Sequence, residues 1–409
     1  MNIPKLRKEP TVKSCHNISW EDDYSWVHQE NILEVLKDGS KLLPEVKKYL
    51  EDENEYTQKQ LSGTQAVQKK LFDEIKARIK LDDESLPYKD KNYEYWTKVT
   101  KEGNYSKKLR KKIGDNKIET YWDGNIEAKG KKFFSAGDVA VSNNDELLAY
   151  SIDEKGSEYF TIFVRRISDN KIIEETIPDT AGGITWSYDD KYFFYSKLDK
   201  FHRPRQIFTH KLGTSISDDK LIFEENDDRF TCGIGTSSDE QFYFISTSEH
   251  TTSEVYYFNK NETKPEPKII LKRKEGVEYS LDSWGGYFWI HTNQHAKDFK
   301  ISRCKHTNIN KWEDYIPAKD QVLIGEFVLL NNWMIRSERV DAMPKLFIRD
   351  LKTNKEEELK ISDEEIISPS MSLLQKDRNT DVIRVSYESP KTPSRTYEYN
   401  VATKEKKTC

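Results

Sequence analysis

Cysteine is scarce in this chain: Cys15, Cys232, Cys304 and Cys409 are the four in 409 residues. They are scattered and form no Cys-x-x-Cys pair, which excludes a compact disulfide framework and a cysteine-built zinc module and fits a reducing compartment. Long apolar runs are missing as well. Nothing approaches the roughly 18 uninterrupted apolar residues a membrane helix needs, and the opening Met1-Asn-Ile-Pro-Lys-Leu-Arg-Lys8 has no apolar leader core. The expectation is a cytoplasmic protein with no membrane partner. Neither sign of charge is in excess, since 66 Lys and Arg face 71 Asp and Glu for a net charge of −5, so no global field attracts nucleic acid. Disorder is excluded by what is present: aromatic residues make up 12% of the chain, and their burial offsets the entropy of ordering.

The most informative feature is a repeat. Val141-Ser-Asn-Asn-Asp-Glu-Leu-Leu-Ala-Tyr-Ser151 returns as Trp186-Ser-Tyr-Asp-Asp-Lys-Tyr-Phe-Phe-Tyr-Ser196, 45 residues later. A looser third copy runs Thr236-Ser-Ser-Asp-Glu-Gln-Phe-Tyr-Phe-Ile-Ser246. Short strands and polar turns repeating at this length indicate a β-propeller. From about Asn92 onward the apolar residues alternate with period two (Tyr93, Tyr95, Thr97 and Val99 share one face), and turn clusters recur at 114–116, 168–170, 259–261 and 353–354. Counting units to the end predicts seven blades of four strands. Trp122-Asp123 is a lone Trp-Asp pair, so a WD40 assignment is poor.

Residues 1–80 read differently. Val46, Leu50, Val67, Leu71, Ile75 and Ile79 fall at helical spacing, Pro44 suits a first helical turn, and Gly63 marks a break. Shorter helices are expected within 22–36, with Trp26, Ile32 and Leu33 buried. The fold class is therefore mainly β: an α-helical N-terminal extension over 1–80, then a seven-bladed β-propeller over 81–409.

Several constellations invite a functional reading. His291, His295, Cys304 and His306 are close in sequence, but on a strand–loop–strand segment an i, i+4 pair does not converge on one metal as it does on a helix. Lys107-Lys-Leu-Arg-Lys-Lys112 reads as a charged strand edge rather than a nucleic-acid patch. The pairs Asp189-Asp190, Asp218-Asp219 and Asp227-Asp228 read as turn formers, and Arg203 and Arg205 as channel, interface or surface salt-bridge residues. No catalytic, cofactor-binding or metal residue is assigned.

Motifs spread along the chain resemble the prolyl oligopeptidase family in its oligopeptidase B branch. They include Asp22-Asp-Tyr-Ser-Trp26, Tyr49-Leu-Glu-Asp-Glu-Asn-Glu-Tyr56, Leu71-Phe-Asp-Glu-Ile-Lys-Ala-Arg-Ile-Lys80, Leu86-Pro-Tyr88, Thr185-Trp-Ser-Tyr-Asp189, Arg203-Pro204, Thr252-Ser-Glu254 and Ser389-Pro-Lys-Thr-Pro-Ser394. The resemblance implies a propeller capping an α/β-hydrolase domain that cleaves short peptides after Lys or Arg, with the N-terminal helices packed on the hydrolase. A serine nucleophile in that fold sits on a Gly-x-Ser-x-Gly elbow, and the 409 residues contain none. The expected function is the non-catalytic, substrate-gating part of such a peptidase, inactive alone and needing no cofactor. Its expected partners are short peptides and a separately encoded hydrolase chain. The alternatives are a peptide- or protein-binding propeller without a peptidase role, or an inactive remnant.

Overall fold

The computed structural model describes residues 2–262 and 264–409. The chain first makes a two-stranded hairpin, Thr11–Cys15 with Ile18–Asp22, turned by His16 and Asn17 at φ of 50° and 63°. A short helix Ile32–Lys37 follows, then helices Pro44–Gln60 and Gln65–Ala77. Pro44 occupies the first turn, where its missing N–H goes unused, and Gly63 lies in the turn Ser62–Thr64 between the two longer helices. The α-helical extension expected over 1–80 is thus only partly helical: its helices lie within 32–77, and it opens on a β-hairpin. Of the three residues expected to be buried, Trp26 and Leu33 are half-buried and Ile32 is exposed.

From Asp83 onward the chain is antiparallel sheet. A five-stranded sheet spans 83–123, and four-stranded sheets span 231–269, 279–316, 322–358 and 368–408. Between them, seven strands from Ser135–Val141 to Lys220–Glu224 form one continuous sheet. The seven blades expected from the repeat are corrected accordingly: five sheets stand as separate blades, and the remaining strands are not divided. The cause is the ten-residue strand Ile177–Trp186. Its first half pairs with Phe160–Arg166 and its second half with Tyr192–Leu198, with a register shift between Thr180 and Ile184. Gly182 sits in that shift at φ 90°, a conformation glycine adopts without strain. Both close copies of the repeat thus lie in a single sheet.

The structure also explains what the repeat encodes. In each copy the serine hydroxyl caps its own turn: Ser142, Ser187 and Ser237 Oγ bond the side chains of Asn144, Asp189 and Asp239 at 2.7, 2.9 and 2.7 Å. The same hydroxyls accept from the amides of Leu147, Tyr192 and Phe242. The acidic residue that ends each turn, Asp145, Asp190 or Glu240, is left-handed at φ 65°, 56° and 55°. The apolar run after each turn is fully buried, with Leu148 and Ala149, Phe193, Phe194 and Tyr195, and Tyr243 and Ile245 in successive core clusters between sheets.

Among the described residues no strand is exchanged between the first and last sheets. The ring closes through backbone bonds from Lys89 N–H to Leu374 O (3.1 Å) and Lys376 N–H to Lys89 O (2.8 Å), and through Arg384 Nη2 donating to Pro87 O (2.6 Å).

Candidate functional site

The first strand of each successive sheet faces the propeller axis, and neighbouring first strands are stitched together there. Asp138 accepts from Ile184 N–H at 3.1 Å, and Thr185 Oγ1 donates to Ile234 O at 3.1 Å. Asp282 accepts from both Ser238 N–H (2.8 Å) and Ser238 Oγ (2.6 Å). Many of the positions these strands leave exposed are small, among them Gly183, Gly233, Ser280, Ser368, Ser370 and Ser372, while Leu323 and Glu326 are larger. A Cβ placed on Gly183, Gly233 or Gly235 would meet nothing within 4 Å. The inner strands therefore face a channel in which small residues predominate, with the sheets arrayed radially around it.

One end of this channel is formed by the repeat's turns. Lys91 Nζ bonds Asn143 Oδ1 (2.6 Å), Asn92 and Tyr95 donate to Asp145, and Asp190 accepts from the amides of Asn143 (2.6 Å) and Asn144 (2.8 Å). Ser283 Oγ then donates to Asp239 at 2.7 Å. The loop 374–379 of the last sheet enters this circle of turns. Lys376 Nζ lies 3.0 Å from Glu240 and 3.7 Å from Asp90. Glu240 belongs to the sheet 231–269 and Asp90 to the first sheet, with other sheets between Glu240 and Lys376 in either direction around the ring. The Lys376–Glu240 pair therefore spans the mouth. In the two closer copies of the repeat the turn-ending acid is Asp, which serves a neighbouring turn; in the third it is the longer Glu, which crosses.

Burial opposes the Lys376 charge, but Asp90 and Glu240 outweigh it and raise the ammonium above its ordinary value. For Asp90 the balance is reversed: burial pushes the carboxyl up, more than Lys376 and Lys91 pull it down. A folded-state pKa above the unfolded one means Lys376 stabilises the seam throughout the neutral range and loses this contribution only as pH rises through its folded value. Replacing Lys376 by Met should raise amide exchange at 89–91 and 374–379 about tenfold, as removal of a partly buried charge-assisted bond predicts. Exchange confined to wild-type rates in hydrogen–deuterium mass spectrometry would show that the pair holds nothing.

The residues singled out in the sequence are placed elsewhere. His291 Nε2 lies 2.8 Å from Ile324 O with its ring stacked on Phe299, His306 Nε2 lies 2.9 Å from Ser283 Oγ, Cys304 is buried, and His295 is exposed. Burial lowers the basicity of both His291 and His306. Among the described residues no three His, Cys, Asp or Glu side chains are grouped to hold an ion. The run 107–112 is a central strand, paired on both sides, which corrects its reading as a strand edge. Its charges face Asp123, Glu119 and Glu94. Asp189 caps its turn, Asp219 lies 2.7 Å from Nδ1 of the buried His210, and Asp227 pairs with Arg229. Arg203 and Arg205 bond Asp228 and the loop before Thr231, at the other end of the propeller. Of the mouth residues only Glu240 lay in a motif, the third copy of the repeat; Asp90, Lys376 and Arg378 carried none.

A model of the prolyl oligopeptidase N-terminal beta-propeller domain matches residues 4–409. The chain belongs to this family. Within it, the chain is 29% identical over 428 residues to dipeptidyl aminopeptidase BI of Pseudoxanthomonas mexicana, covering 99% of this chain and 57% of the relative. Protease 2 of Moraxella lacunata is 23% identical, with 99% of this chain and 58% of the relative covered. The fold is shared with oligopeptidase B from Trypanosoma brucei, solved in a closed form with covalently bound antipain (TM-score 0.89, 23% identity, 100% of this chain and 60% of that one). Oligopeptidase B from Leishmania major gives a TM-score of 0.89 at 22% identity with the same coverage. The chain thus spans a little under three fifths of the length of these curated relatives and corresponds to their propeller part. The family resemblance read from the motifs is borne out. No helix among the described residues is long and apolar enough to cross a membrane.

Proposed function

We propose that this prolyl oligopeptidase family propeller is the size-selecting part of an oligopeptidase B-type serine peptidase. It admits short, flexible peptides to an α/β-hydrolase domain that cleaves after Lys or Arg, and it excludes folded proteins. The observation that carries this reading is the channel, in which small residues predominate and which is bridged at one mouth by Lys376 and Glu240. An extended chain fits between small side chains, whereas a folded domain does not fit through a propeller axis. The N-terminal segment supports the same reading. Leu71 and Ile75 are 52% and 60% exposed, and Leu50, Val67 and Phe72 are exposed with them. Contiguous apolar faces of this kind mark an interface, and the hydrolase domain is the partner that the family architecture supplies.

Thiol labelling in the channel tests the size selection. The variant carries Gly233→Cys with Cys15→Ser and Cys409→Ser. The two remaining native thiols are silent, because burial pushes Cys232 up to about 12 and Cys304 up to about 11. A small maleimide should label position 233 within about tenfold of its rate at an exposed Cys409 control, and a maleimide carried on a folded protein should label it at least about a hundredfold more slowly than the control. Equal relative rates for the two reagents would remove the size-selection reading.

A further inference from the structure

The bridged mouth encloses a cavity of about 440 Å³, and one wall of it is Arg378. No described residue accepts a hydrogen bond from the Arg378 guanidinium, and its Nη1 is fully shielded from solvent. Asp282 influences Arg378 only at a distance, because its oxygens are already engaged by Ser238 N–H, Ser238 Oγ and Ser283 N–H. Across the same cavity Asp90 Oδ1 is likewise shielded and unpartnered. Both side chains are half-buried, and a shielded guanidinium nitrogen or carboxylate oxygen is costly to leave unpaired. Desolvation also lowers the Arg378 pKa, in keeping with a cation that has no partner at hand. The mouth thus presents one unpartnered guanidinium nitrogen, Arg378 Nη1, and one unpartnered carboxylate oxygen, Asp90 Oδ1, whose companion oxygen lies 3.7 Å from Lys376.

We infer that this cavity binds the C-terminal carboxylate of a short peptide, with Arg378 holding the carboxylate and Asp90 accepting a peptide N–H. A peptide terminus offers a monoanion with amide donors beside it, which matches both unpartnered atoms. The wall also carries Lys89, Lys91 and Lys376 beside its carboxylates, so what favours a peptide terminus over a phosphate dianion is the amide donor that phosphate lacks. Trp284 and Ile113 complete the wall and give apolar cover for the terminal side chain. This assignment rests on the reading that short peptides use the channel, and it adds a recognition step at the bridged mouth.

Calorimetric titration of the full chain with Gly-Gly-Leu as free acid, Gly-Gly-Leu amide, acetate and inorganic phosphate tests it. The free acid should bind at least about tenfold tighter than the amide, the usual worth of one charge-assisted hydrogen bond. Arg378→Met should weaken the acid by about the same factor and leave the amide unchanged. Acetate should compete and phosphate should not. Acid and amide within about twofold of each other on the wild-type chain, or no detectable binding of the acid at millimolar concentration, would overturn the assignment without any variant. Phosphate competing better than acetate would overturn it in favour of a general anion site. Failure here with size-dependent labelling intact at position 233 removes this site and leaves the gate; acid-selective binding with size-independent labelling does the reverse.

Discussion

Replacing Arg336 by leucine is expected to cost about 3–5 kcal/mol of stability, the usual consequence of leaving a buried carboxylate without its partner. Arg336 is fully buried in the strand Trp333–Val340. Its Nε and Nη2 donate to Glu338 Oε1 at 2.8 and 2.6 Å, and its Nη1 donates to Glu356 at 2.6 Å. Glu338 is just as inaccessible, and its remaining cation is Lys319 at 2.7 Å. The guanidinium also lies 5.1 Å from the Phe347 ring centroid, so its loss removes packing as well as charge. Urea denaturation followed by tryptophan fluorescence measures the effect. The double variant Arg336→Leu with Glu338→Leu should recover part of the loss, because it removes the buried Glu338 charge that the single change leaves short of a partner, while Glu356 and Lys319 still lose theirs. A single variant with an unchanged midpoint would mean that water reaches this site.

The second large effect is expected at Arg273, which joins two carboxylates that each keep only a few per cent of their side-chain surface exposed. It reaches Glu254 at 2.6 Å and Glu225 on the neighbouring connection, and it lies over the Phe230 ring at 4.0 Å. Arg273→Met should cost about 3–5 kcal/mol near neutral pH, since two buried anions would then face one another. The loss should depend on pH with a defined sign. Burial alone would raise the Glu254 carboxyl, but hydrogen bonds from Tyr256 and Arg273 outweigh it and hold the group below its ordinary value. Its stabilisation is therefore present above the unfolded carboxylate pKa and is lost as pH falls through the lower folded value. The difference between wild type and variant should shrink between pH 7 and about pH 4, where the variant's carboxylates are neutralised. A difference that stays constant over this range would locate the loss in packing on Phe230.

Local chemistry made part of this structure legible before any coordinates. Ser142, Ser187 and Ser237, each followed by its acid and an apolar run, encode turns whose bonds are all short in sequence, so the propeller units show through. The division into sheets does not. Ile177–Trp186 reads as ordinary strand sequence, and whether its two halves pair with one sheet or two depends on neighbours on either side. The hairpin at 11–22 was missed for a related reason: its turn is His16-Asn17 rather than a glycine pair, and only Asn17 hints at a left-handed backbone. The repeat's turns around the mouth were legible, but the contacts across it were not. Asp90, Glu240, Lys376 and Arg378 come from three sheets, and no spacing rule connects residues that meet only when a ring closes.

The uninterrupted strand Ile177–Trp186 also bears on how such a ring deforms. Two propeller units that share one strand cannot part without breaking main-chain pairing in the middle of a sheet, whereas the first and last sheets meet through two backbone bonds, Arg384 and the Lys376–Asp90 ion pair. Under thermal or mechanical load the circle therefore has one hinge side and one clasp side. The clasp carries the same loop that reaches into the mouth, so any widening of the ring shifts Lys376 and Arg378 first.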